Sequence, residues 1–178
     1  MAKLTITEAL AEIKTIKSRI AKKREGIGAY LVRQEKFKDP LEKDGGSRTF
    51  IARERQGIAD LEQRMVDIRR AIQTANMQET VTLGGTSRSI ADWLAWRREV
   101  APDAQKFLNA LRSGVNSVRA DAARKGVSVT ASETGKPDDV IVNVNEILLA
   151  AEIDALEETL GALDGQLSLK NATVMVDI

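Results

Sequence analysis

The feature that most constrains the fold is an apolar stripe along the first thirty residues. Apolar side chains recur there at intervals of three and four residues and fall on one side of a helical wheel: Ile6, Leu10, Ile13, Ile16, Ile20, Ile27 and Leu31. The preceding pattern, Thr5-x-x-Glu8, is typical of a capping box. The sequence therefore predicts a long helix over residues 5–33 that buries one side against other elements.

Three further segments show the same periodicity, and they predict helices over residues 49–76, 89–125 and 144–171. The second helix carries apolar residues at heptad a and d positions, which predicts an antiparallel coiled-coil hairpin with the first. Pro102 interrupts the third, where we expect a kink or two abutting helices. We therefore predict a mainly α fold, an elongated antiparallel four-helix bundle or coiled coil, in a single helical domain over residues 1–178.

Short alternating segments predict strands at residues 80–83, 127–130, 140–144 and 173–178. The second and third are joined by a turn-rich link that contains Gly135 and Pro137, which favours a small β-hairpin. We expect the short terminal strand to pair with residues 80–83, because helices two and four would run parallel in an up-down bundle. Both strands would then leave the bundle at the same end.

The composition excludes several kinds of chemistry. The chain has no Cys and no His, so it offers no thiolate nucleophile, no disulfide and no imidazole or sulfur ligand for a metal ion. The acid pairs Glu157-Glu158 and Asp138-Asp139 are adjacent in sequence and point in different directions, so they are predicted to be solvated surface. We therefore expect no enzyme activity, no catalytic residue, no metal site and no cofactor.

Charge and hydropathy narrow the choice of partners. Charged residues make up 30% of the chain but sum to +1, which argues against a general attraction to nucleic acid. The first helix has a basic tract, which we interpret as a solvated face, with a contact to phosphates or an acidic partner as the alternative: Lys14, Lys17, Arg19, Lys22, Lys23 and Arg24. No secretory signal peptide or membrane-spanning run is found, so we expect no membrane partner and a cytoplasmic or virion location.

Two places are candidates for protein contacts. Trp96 lies at the edge of the third stripe beside Arg97 and Arg98, and Trp and Arg are enriched at interface hot spots, whereas Trp93 is predicted to be core. The terminal strand presents Val174, Val176 and Ile178, and an apolar strand at a terminus invites pairing. These six residues are the predicted interaction residues, and the partner would be the protein itself or other subunits of an assembly.

Several short motifs resemble those of a known family. They are Glu8-Ala9-Leu10, Ile72-Gln73-Thr74-Ala75-Asn76 followed by Thr80, Gly85 and Ile90, then Leu94-Ala95-Trp96-Arg97, and Leu163-Asp164-x-x-Leu167 before Asn171. In the order of these motifs the chain resembles the septicolysin-like family of small helical proteins of bacteria and phages. The family name suggests a cytolysin, but the sequence contains no amphipathic membrane helix or spanning strand that would support pore formation.

The sequence favours a structural function. We expect a non-enzymatic assembly protein that self-associates or docks on a larger assembly, for example an accessory protein of a phage virion. The alternative is a coiled-coil adaptor or a holdase-type chaperone, by analogy of layout with prefoldin subunits. A further possibility is that the protein binds nucleic acid through the basic tract. Salt-dependent binding to DNA would be needed to support it.

Overall fold

The computed structural model describes residues 3–132 and 136–178, and it is mainly α, which confirms the predicted fold class. The residues group into two compact units. The first runs to Gln78 and includes Ser168–Ile178, and the second is Glu79–Leu167. The four-helix bundle and the single domain over residues 1–178 stay predictions.

Two long helices form most of the first unit. α1 (Ile6–Ala29) begins with the predicted capping box, in which the Glu8 N–H donates to Thr5 Oγ1 and the Thr5 N–H donates to the Glu8 carboxylate. It ends four residues earlier than expected, at a Tyr30 cap whose backbone is no longer helical. α2 (Gly46–Gln78) begins three residues earlier and ends two residues later than expected.

α1 and α2 run antiparallel and bury a core rich in isoleucine. Glu12 pairs with Arg64 near one end and Lys23 pairs with Glu54 near the other, which fixes their direction. The buried residues of this core are Ile6, Ala9, Ile13, Ile16, Ile20, Ile68, Ile72 and Val176. The buried stripe of α1 is centred on Ala9 and the isoleucines. Leu10 lies at the edge of this stripe and is therefore 41% exposed.

A small antiparallel sheet closes one end of this core. β1 (Lys3–Thr5) pairs with β6 (Met175–Asp177), with Leu4 opposite Val176. The expected pairing of residues 173–178 with residues 80–83 is therefore wrong. β1 leads directly into α1, so it lies at the end of the helix pair where the chain's last strand arrives. Three residues were too few for an alternating pattern to reveal β1 in the sequence.

The second unit begins with a β-hairpin. β2 (Thr80–Leu83) and β3 (Thr86–Ser89) are joined by Gly84 and Gly85, both with positive φ, as a tight two-residue turn requires. The strand predicted at residues 80–83 is confirmed, and β3 was not predicted. α3 (Ile90–Ala95) follows and is capped by Ser89.

The predicted interruption near Pro102 is a π turn. It spans Trp96–Val100 and leads into α4 (Ala101–Lys125), with the Ala101 N–H donating to the Trp96 carbonyl five residues back. Pro102 has no N–H to donate, and the wider turn accommodates its ring within a continuous helical path. α4 ends at Gly126, whose φ of 68° is left-handed.

The segment between α4 and the last helix differs from expectation. β4 (Val129–Thr130) and β5 (Val140–Ile141) pair in parallel, so the predicted β-hairpin is wrong: alternation in sequence predicts strands but carries no strand direction. Gly135, which was assigned to the link, lies outside the described residues. α5 (Glu146–Thr173) begins two residues later than expected and is capped by Asn145, whose Oδ1 accepts from the Ile147 and Leu148 N–H groups.

A second core lies within this unit. It is formed by β2, α3 and α5, and its buried residues are Val81, Ile90, Trp93, Leu163 and Leu167. The Trp93 indole N–H donates to the Val81 carbonyl at 2.9 Å, which satisfies the buried polar atom of the ring. Its burial confirms the prediction that Trp93 is a core residue.

Candidate interaction surface

β6 has a backbone edge that β1 leaves unpaired. The Ile6 N–H donates to the Val174 carbonyl at 3.1 Å, and with the observed register this makes Leu4 and Val176 a hydrogen-bonded pair. In an antiparallel ladder the alternate residues then direct their N–H and C=O groups to the other side. Met175 and Asp177 therefore present their backbone groups away from β1, and no described residue forms a hydrogen bond with them.

The outer edge of β1 is less available than that of β6. The outward-facing N–H of Thr5 is taken by the Glu8 carboxylate at 2.8 Å, as part of the capping box. That backbone hydrogen bond, together with the one from the Thr5 hydroxyl, lowers the pKa of Glu8 below its ordinary value. The open hydrogen-bonding edge of this sheet is therefore mainly that of β6.

A groove of about 490 Å³ runs beside β6. One wall of the groove is formed by β6 and the residue after it, 175–178. The other wall is formed by the last turns of α2, at Asp67, Arg70, Ala71, Thr74, Ala75 and Gln78. The alanines are small, which leaves room next to the strand. A neighbouring strand lies about 4.8 Å away in a sheet, so the groove is placed where an added strand would enter.

The side chains of the terminal strand divide between two faces. Val176 is buried, and Val174 and Ile178 are half-buried against the same isoleucine core. Met175, which is 51% exposed, and Asp177 occupy the outer face. The structure thus places the three predicted residues on their own core, and their role in an interaction stays a prediction. Sequence reasoning missed Met175 and Asp177, although the two-residue period of a strand puts them opposite Val176.

The second set of predicted interaction residues lies on the π turn. Trp96 is half-buried and packs against Trp93 in a T-shaped arrangement, with ring centroids 5.4 Å apart. The Arg97 guanidinium pairs with Asp164 of α5 at 2.8 Å, and Arg98 pairs with its neighbour Glu99 at 2.6 Å. Both arginines therefore already have acidic partners within the unit. Contact of these residues with another subunit stays a prediction.

The basic tract of α1 is partly neutralised by α2. Lys23 pairs with Glu54 at 2.8 Å, where the glutamate side chain is only 16% exposed, and Arg24 pairs with Glu62 at 3.0 Å. The first pair is half-buried and the second is exposed. The other basic residues of the tract, Lys14, Lys17, Arg19 and Lys22, are exposed, in line with the interpretation as a solvated face, and binding of the tract to an outside partner stays a prediction.

An apolar groove lies along α4 in the second unit. It measures about 340 Å³ and is lined by Ala110, Leu111, Gly114, Val115 and Val118 of α4 and by residues 140–144. Nearby on the same helix, Phe107 is 62% exposed. An exposed apolar strip of this kind is a candidate contact surface for another chain.

The long connector between α1 and α2 is organised by Asp39. Its carboxylate accepts from the Ser47 hydroxyl at 2.6 Å, the Ser47 N–H at 2.8 Å and the Leu41 N–H at 2.9 Å. The hydrogen bonds from the Ser47 side chain and backbone, then from Leu41, lower the pKa of Asp39 to about 2. Asp39 thus caps the start of α2, which explains why that helix begins before residue 49.

The described residues contain no cluster of three acidic side chains that could hold a metal ion. Glu157 and Glu158 are exposed on α5. Within residues 3–132 and 136–178, no helix has the length and hydropathy needed to cross a bilayer.

Comparison with protein-family models, with curated proteins and with solved structures gives no match for this chain. The resemblance to the septicolysin-like family stays a prediction.

Proposed function

We propose that the protein is a non-enzymatic structural protein that assembles with copies of itself or with other subunits. The observation that carries this proposal is the open backbone edge of β6 beside a groove of about 490 Å³. A strand edge with unpaired N–H and C=O groups is a template for pairing with another chain. Strand addition at such an edge is a common mode of protein recognition.

Other features support the same proposal. The surface around Trp96, Arg97 and Arg98 supplies a second region for contacts, and the sequence of α1 and α2 has the heptad pattern of a coiled coil. The resemblance to proteins of bacteria and phages suggests the context, a phage particle or the cytoplasm in which it is assembled. In this proposal the chain performs no chemistry and uses no metal ion or cofactor.

Size-exclusion chromatography with light scattering tests the proposal over a wide range of protein concentrations. We expect the measured mass to rise above the 19.5 kDa of one chain as the concentration increases. A mass that stays at one chain at the highest attainable concentration, with no binding to a co-expressed neighbouring gene product, would contradict it.

The apolar groove of α4 favours a second candidate function, a coiled-coil adaptor or holdase-type chaperone. Exposed apolar side chains such as Phe107 and Val118 would contact unfolded clients. We expect such a protein to slow the aggregation of a heat-denatured client. Phe107→Ser should weaken that protection, whereas Met175→Ser, at the β6 edge, should leave it unchanged.

A further inference from the structure

We infer that the partner at the β6 edge is a second copy of β6, paired antiparallel about a two-fold axis so that Val176 lies opposite Val176 of the partner subunit. This inference rests on the proposed assembly function and specifies its partner. The result is a four-stranded sheet in the order β1, β6, β6, β1 across two copies.

The hydrogen-bond pattern of β6 selects this register. Only Met175 and Asp177 direct backbone groups outward, as the Ile6 to Val174 hydrogen bond and the register with β1 establish. When Val176 lies on the axis, Met175 faces Asp177 of the partner subunit, and Asp177 faces Met175 of the partner subunit. Each of these two pairs exchanges two hydrogen bonds, so all the outward groups are satisfied.

Neighbouring registers fail for physical reasons. A register shifted by one residue sets an outward-facing residue against an inward-facing one, and no ladder forms. Moving the axis to Asp177 puts the two Asp177 carboxylates directly opposite each other, which is destabilising. Moving it to Met175 sets Asp177 against Thr173, which belongs to α5 and is not available as a strand.

Side-chain chemistry is self-complementary in the same register. On the outer face, Asp177 has Lys3 of its own β1 on one side and Met175 of the partner subunit on the other. No like charges are therefore directly opposed. On the inner face, Val174 lies opposite Ile178 of the partner subunit. These two half-buried apolar residues thus continue the row begun by Leu4 and Val176. The small Ala71 and Ala75 leave space for the incoming strand in the groove.

Cross-linking tests this register directly because the natural chain has no Cys. Met175→Cys and Asp177→Cys are made as separate variants, mixed, and treated with a short thiol-to-thiol cross-linker. Directly opposite Cβ atoms lie about 5 Å apart and diagonal ones about 7–8 Å. We expect the mixed pair to cross-link several-fold faster than either variant alone.

A proline variant gives an independent readout. Asp177→Pro removes an outward N–H that the ladder with β1 does not use, and strands accept proline where the N–H faces solvent. We expect it to abolish the dimer while the helical circular dichroism is unchanged, and Asp177→Asn, which keeps the N–H, to remain dimeric.

The outcomes separate the two proposals. If the protein associates but the mixed pair cross-links no faster than the single variants, or Asp177→Pro still dimerises, the two-fold pairing is overturned and the assembly function stands. A protein that is monomeric and binds no other subunit overturns both.

Discussion

Leu163 provides the sharpest test of the second core. Its side chain is fully buried in α5 and packs in the same cluster as Trp93 and Val81. Leu163→Ala removes three carbon atoms, which costs about 2.4 kcal/mol in transfer free energy alone. The cavity left behind raises the total loss in the free energy of unfolding to about 3–4 kcal/mol.

Leu148→Ala is the matched control, with the same chemical change on the same helix. Leu148 is 59% exposed, so its truncation should cost about 1 kcal/mol or less and leave no cavity. Urea unfolding, followed by circular dichroism and by fluorescence of Trp93 and Trp96, measures both variants. With a slope of about 2 kcal/mol/M, the midpoint should fall by about 1.5–2 M for Leu163→Ala. Equal shifts in the two variants would refute the packing described for this core.

Three further predictions concern single contacts. Trp93→Phe removes the indole N–H that the Val81 carbonyl accepts in addition to its ladder bond with Arg88, a loss of about 1 kcal/mol, so the midpoint of thermal unfolding should fall by about 2–4 °C, as differential scanning calorimetry would show. Asp39 has a pKa of about 2 in the folded chain, below its ordinary value of 3.8, so its contribution to stability is present above pH 4 and lost as the pH falls towards 2. Urea titrations across this pH range should show that Asp39→Asn flattens the dependence. Gly161 lies in the interior of α5 with open space around it, so Gly161→Ala should stabilise the protein by about 0.5–1 kcal/mol. Gly126 has a positive φ, so Gly126→Ala should destabilise the protein by about 1 kcal/mol. If chemical denaturation gave changes of the same sign for both variants, the backbone argument would be contradicted.

The long helices were predictable because the apolar pattern of each repeats over many more residues than the pattern of any strand. Ile6, Ile13, Ile16 and Ile20 repeat at helical spacing, and all four are buried as the wheel predicts. Helix ends were predicted less well. The start of α2 depends on Asp39, seven residues before the helix, and a cap that comes from so far ahead of the helix leaves no local sequence pattern.

Strand partners could not be predicted from the sequence. The alternation of residues 173–178 shows a strand with one apolar face, but pairing with Lys3–Thr5 depends on where α1 starts and α5 ends. The parallel pairing of Val129–Thr130 with Val140–Ile141 is likewise set by the path of the chain and not by the two short segments. Short ladders of two or three residues carry too little pattern to determine partner or direction.

The candidate surface was located only in part. The sequence identified the terminal strand through its apolar residues, which the structure places on the inner face. The groups available to another chain are the backbone atoms of Met175 and Asp177, and backbone availability depends on the ladder with β1. A pattern of side chains cannot report it.

The π turn at Trp96–Val100 has a consequence for insertions and deletions. An α-helix advances by about 100° per residue, so a turn that holds one extra residue rotates everything after it by that amount. Deleting one residue here would turn Val115 and Ala122 away from the side on which they are now buried. Related chains should therefore accept length changes in the connector before α2 far more readily than at this turn.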